Sequence, residues 1–64
     1  MPKHDIDVQL IGKDGNAFAI IGTVSAALKR AGLKEEAGTF MEEAFECESY
    51  NKLLVLCMKT VNVT

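Results

Sequence analysis

The sequence predicts a small, mostly helical α+β domain in the order β-α-α-α-β, with three packed helices and a small sheet made from the two terminal strands. Three observations lead there. Residues 5–10 alternate strictly between polar and apolar, as a half-buried strand does. Three later stretches carry apolar residues at helical spacing with capping residues beside them, and the last five residues are β-branched and alternating.

In chain order, Ile6, Val8 and Leu10 share one face of the first strand and Asp5, Asp7 and Gln9 the other. Gly12 and the Asp14-Gly15 pair then mark a turn, and Asn16 is the natural N-cap of the first helix. From Ala17 to Ala31 the residues Ala17, Ile20, Ile21, Val24, Ala27, Leu28 and Ala31 form one stripe about 120° wide. Lys29 and Arg30 suit the negative end of the helix dipole, and Gly32 stands where a left-handed cap belongs. Gly22, Phe18 and Ser25 make a second, shallow edge on which another helix can approach closely.

The second helix is expected from Lys34 or Glu35 to Glu46, with Ala37, Phe40, Met41, Ala44 and Phe45 inward. Glu35 and Glu36 favour its first turn, and a connection at residues 47–49 precedes Ser49, the cap of a third helix over residues 50–59. Residues 53–58 alone would also suit a buried strand; length and leucine content favour helix. Residues 60–64 close the chain as a short strand.

At 64 residues this is one domain, residues 1–64, with the first few expected to be poorly ordered. A chain of this size buries only about 60% of the surface it exposes when unfolded, so its stability margin is thin. The 48% hydrophobic content is that of a globular chain, not of a disordered one. Two cysteines, Cys47 and Cys57, are too few for a disulfide framework and are not spaced for zinc. With no apolar run of signal-peptide or membrane-span length, a cytoplasmic protein without membrane attachment is expected.

Chemistry is sparse. No catalytic or metal motif is present, so neither an enzyme nor a bound cofactor or metal is expected. The helix start at Gly12, Gly15, Asn16 and Ala17 offers free N–H groups to an anion, but it lacks the glycine-lysine phosphate loop and the dinucleotide fingerprint, and Asp14 would repel the ligand. A small-ligand or phosphate site there is the alternative reading. His4 is read as a solvated residue near the terminus.

The net charge of −2 disfavours nucleic acid, and six of the nine acids fall between Glu35 and Glu48 with no Lys or Arg among them. That block is read first as a solvated helix face. Lys29, Arg30 and Lys34 form a basic corner, the basis of a minor nucleic-acid reading. A helix-turn-helix reading fails because the second helix would set Glu35, Glu36, Glu42 and Glu43 against phosphates.

The third helix is apolar nearly all round: Leu53, Leu54, Cys57 and Met58 cover one broad face, while Val55 and Leu56 flank a narrow strip made by Lys52 and Lys59. Such a helix is either central in its domain or covered by another chain. With the open edges of a two-stranded sheet, this points to a homodimer or a protein partner, with Val55, Leu56, Lys52 and Lys59 at the interface. The leading expectation is therefore a non-enzymatic protein-interaction or self-association module.

The run Asp14-Gly15-Asn16-Ala17-Phe18 after an alternating strand, then Ala27-Leu28, Ala31-Gly32, Phe40, Glu43-Ala44, Tyr50 and Leu53-Leu54, resembles a family of short uncharacterised bacterial and phage-associated proteins. The resemblance spans most of the chain. It implies a free-standing small protein and carries no activity, cofactor or site residue with it.

Overall fold

The computed structural model describes residues 3–10 and 16–64. Within them the chain runs β1 (Asp7–Val8), α1 (Ala17–Arg30), α2 (Lys34–Glu46), α3 (Tyr50–Thr60) and β2 (Asn62–Val63), the order predicted. The Asp14-Gly15 turn lies outside the described residues.

Three of the helix ends are explained by local interactions. Asn16 caps α1: its Oδ1 accepts the Phe18 N–H at 2.9 Å. At the other end Gly32 takes φ +82, its N–H donates to the Lys29 carbonyl at 3.0 Å, and the Leu33 N–H donates to the Leu28 carbonyl at 2.9 Å. This paired arrangement satisfies the last carbonyls of α1 and reverses the chain. Gly32→Ala is expected to lower stability by about 1 to 2 kcal/mol, since a side chain at positive φ meets the following carbonyl; a thermal melt measures it. Ser49 Oγ accepts the Lys52 N–H at 3.2 Å and starts α3. α2 has no side-chain cap at Leu33, and the glutamates of its first turn compensate through the dipole.

The two strands pair in parallel, Asp7 opposite Asn62 and Val8 opposite Val63. Parallel pairing needs a long crossover, and here all three helices form it. The backbone ladder continues past the strands, with the Asn62 N–H on the Ile6 carbonyl at 2.8 Å and the Leu10 N–H on the Thr64 carbonyl at 2.9 Å. Ahead of β1, the Lys3 and His4 N–H groups donate to the Lys59 and Thr60 carbonyls at 2.8 and 3.0 Å. The start of the chain thereby satisfies the carbonyls left open at the end of α3. On the wet face Asn62 Nδ2 donates to both Asp5 (2.7 Å) and Asp7 (3.1 Å).

α1 is the central element. Ile20, Ile21, Val24, Ala27 and Leu28 meet Ala37, Phe40 and Ala44 of α2, Leu53 and Cys57 of α3, and Val8, Leu10 and Val61 around the sheet. Ala37 and Ala44 are small and buried, which lets α2 lie close along α1.

Several side chains depart from the expected pattern. The buried stripe of α2 narrows to Ala37, Phe40 and Ala44, because α2 has core on one side only; Phe45 is exposed and Met41 half-buried. On α3 the buried line runs through Leu53, Cys57 and Thr60, which leaves Met58 outside and draws Leu56 halfway in. Thr60 belongs to that helix and not to the closing strand; its hydroxyl donates to the Leu56 carbonyl at 2.7 Å. Ala31 is exposed because the chain already leaves the helix there. His4 is half-buried, held by the backbone bond to Thr60, and is not the solvated residue expected.

Candidate functional site

The helix start proposed for an anion is only partly described. Gly12 and Gly15 lie outside the described residues. The Asn16 side chain is engaged as the cap of α1, and Ala17 packs half-buried against the core. The cap bond takes one of the N–H groups an anion would use. The basic corner of Lys29, Arg30 and Lys34 is exposed at the α1–α2 turn, beside Glu35 and Glu36.

The four residues expected at an interface do come together. Lys52, Val55, Leu56 and Lys59, with Asn51, line one shallow hollow on the outside of α3. Val55 is 45% exposed, Leu56 half-buried, and Lys52 Nζ reaches Glu48 Oε2 at 3.2 Å. An exposed pair of this kind adds only a few tenths of a kcal/mol to the helix. The patch is modest, two aliphatic side chains framed by two cations and an amide.

A second apolar patch, which carries the exposed aromatic side chains, lies where the three helices converge. The start of α1, the end of α2 and the start of α3 bring Phe18, Phe45 and Tyr50 to one cleft, floored by Ile21, Ala44 and Leu53. Phe18 is 72% exposed, Phe45 58% and Tyr50 39%. The Phe18 and Phe45 rings stand 6.0 Å apart, tilted at 45°, within the range of an attractive aromatic pair. Sequence reading set Phe45 in the core and Phe18 on a shallow second edge. The available signal was angular: both sit at the margin of their stripes, and a domain with few helices covers only the middle of each stripe.

Beside this pair run two exposed glycines, Gly22 on α1 and Gly38 on α2. A Cβ built at either meets nothing within 4 Å among the described residues, so the close helix approach expected at Gly22 is not made there. Each glycine costs about 1 kcal/mol relative to alanine in a helix interior. Gly22→Ala and Gly38→Ala are each expected to raise the stability of the isolated chain by up to about 1 kcal/mol, read as an increase in the denaturation midpoint.

Titratable groups gather elsewhere. A small hollow between the first residues and α2 is lined by Lys3, His4, Glu36 and Glu43, with the His4 Nε2 buried and without a hydrogen-bond partner among the described residues. Among the described residues no group of three or more His, Cys, Asp or Glu is placed to hold a metal ion. Cys47 and Cys57 are free thiols.

Burial pushes the Cys57 thiol from 9.0 up to about 11, and nearby Cys47 adds to the shift. The neutral thiol is the form that the folded chain holds. Its stabilising contribution is therefore complete below pH 9 and is lost as pH rises from about 9 toward 11, where the unfolded chain ionises first. A thiol reagent at neutral pH is expected to modify Cys47 quickly and Cys57 only on unfolding; equal rates would contradict this burial.

No protein-family profile, curated protein or solved structure matches the chain. Among the described residues no helix is long and apolar enough to cross a membrane.

Proposed function

We propose that this chain is a non-enzymatic interaction module that binds protein, in the first place a second copy of itself. One observation carries the reading: Phe18 and Phe45, side by side at the meeting of the helices, remain mostly in water. Aromatic side chains contribute heavily to interfaces because each buries a large rigid area at little entropic cost. The cleft around them is built mainly from Tyr50 and aliphatic side chains, with Cys47, Glu48 and Ser49 at its margin, a lining suited to binding by surface contact. The α3 hollow at Val55 and Leu56, framed by Lys52 and Lys59, is a second contact area under the same reading. A cytoplasmic setting belongs to it as well, since two free thiols suit a reducing compartment.

The short sheet adds less than a long open edge would. Its strands are two residues each, and Asp7 on β1 and Asp5 just ahead of it are charged, features that discourage edge-to-edge pairing. Sedimentation velocity over a dilution series tests the proposal. The expected result is a dimer at micromolar concentration that dissociates on dilution; a monomer throughout the series would overturn it.

A further inference from the structure

We infer that the outer face of the α1–α2 pair is a two-fold self-association surface on which the phenylalanine end of one copy covers the lysine end of the other. The inference rests on the self-association reading above and names its geometry.

Spacing is the first argument. Lys29 follows Phe18 on α1 by about three helical turns, and Phe45 follows Lys34 on α2 by the same interval, so on each helix the two residues share a face. The helices run antiparallel, as the Phe18–Phe45 contact requires. One face therefore carries two phenylalanines at one end and two lysines at the other, all four exposed. A two-fold axis through the middle of this face sets each phenylalanine pair against the partner's lysine pair. Aliphatic lysine stems cover the rings, and the ammonium groups meet the ring faces.

Charge favours the same arrangement. Glu42 and Glu46 stand beside the phenylalanine end, while Arg30 adds to Lys29 and Lys34 at the other, where Glu35 and Glu36 still leave one positive charge in excess. Each end is complementary to the opposite end of a second copy and repels its own kind, which selects the antiparallel pairing over the parallel one.

The glycines supply the third argument. Gly22 and Gly38 lie between the two ends, exposed and with no packing reason among the described residues. On a face covered by a second copy, their missing side chains let the helices of the two copies approach closely. A stable dimer removes about 800 Å² from each partner, which is about a fifth of the 4340 Å² this chain exposes. The face of the helix pair, on a molecule 27 × 23 × 21 Å across, is of that order.

Two charge-reversed variants, K29E/K34E and E42K/E46K, test the inference. All four positions are exposed, and circular dichroism checks that both variants fold. Each variant alone should self-associate at least tenfold more weakly than the parent chain, because like charges then meet at both ends. Mixed in equal amounts, the two should form a heterodimer of near-parental affinity. A mixture that stays monomeric, or a variant that associates alone as the parent does, overturns the inference. If the parent chain is itself monomeric, the self-association reading fails with it; if parent and variants all dimerise equally, self-association stands on another face and only this inference fails. As a second readout, G22A/G38A should be more stable as a monomer and yet dimerise more weakly, and unchanged dimerisation would count against the face.

Discussion

Leu28→Ala is expected to lower the folding stability by about 3 kcal/mol, within the range found when a buried leucine is truncated. Leu28 is fully buried in α1, surrounded by core residues of the other elements. The cavity left by alanine cannot collapse easily, because α1 is held on several sides: by α2, by α3 and by the strand β1. A chain of 64 residues has a total stability of roughly 3 to 10 kcal/mol. The substitution therefore removes a large share of the margin. Urea unfolding followed by circular dichroism gives the measurement, with Val55→Ala as the exposed comparison, expected within about 0.5 kcal/mol of the parent. Equal losses at the two positions would show that α1 is not the centre of the core.

Val8→Asp should be at least as damaging, by about 3 to 5 kcal/mol, the range for a buried charge left without a partner. Val8 is 3% exposed on β1, facing the core, whereas Asp7 beside it is in water. The aspartate would either ionise in the core or take up a proton, and both options weaken folding. The damage should also be specific to the place where the chain closes on itself. Hydrogen exchange at the Asn62 and Thr64 amides, which donate to the Ile6 and Val8 carbonyls, should accelerate more than exchange in the middle of α1. Retained protection at those amides would mean that the parallel pairing does not hold the two ends of the chain together. Asp7→Asn, on the wet face, should leave them protected.

The backbone of this fold can be read largely from local chemistry. Asn16, Gly32 and Ser49 each act at the helix end where their side chain or backbone freedom is required, and such signals involve only neighbours in sequence. The alternation around Val8 likewise names the buried face of β1 without reference to anything distant. Strand direction was a different matter, because it depends on how three helices pack, and no residue in either strand encodes it.

Burial at the margins of the helices was also out of reach. Phe45 and Met58 have the chemistry of core residues, and whether they are covered depends on how many neighbours the fold supplies. A three-helix domain gives α2 one packed side and α3 a narrow line, so both side chains remain outside. The Phe18–Phe45 pair follows from the same shortage. That Lys52, Val55, Leu56 and Lys59 share one hollow follows from helical geometry alone, since they lie on one helix. The aromatic cleft draws on three helices, and its assembly is a tertiary fact.

Hydroxyl-radical footprinting across a protein dilution series reads the proposed surface most directly, because phenylalanine and methionine side chains both report their exposure. Modification of Phe18 and Phe45 is expected to fall as concentration rises, while Met58 on the outside of α3 stays reactive. Protection confined to Met58, or reactivity of both phenylalanines that is the same at every concentration, would contradict self-association through the α1–α2 face.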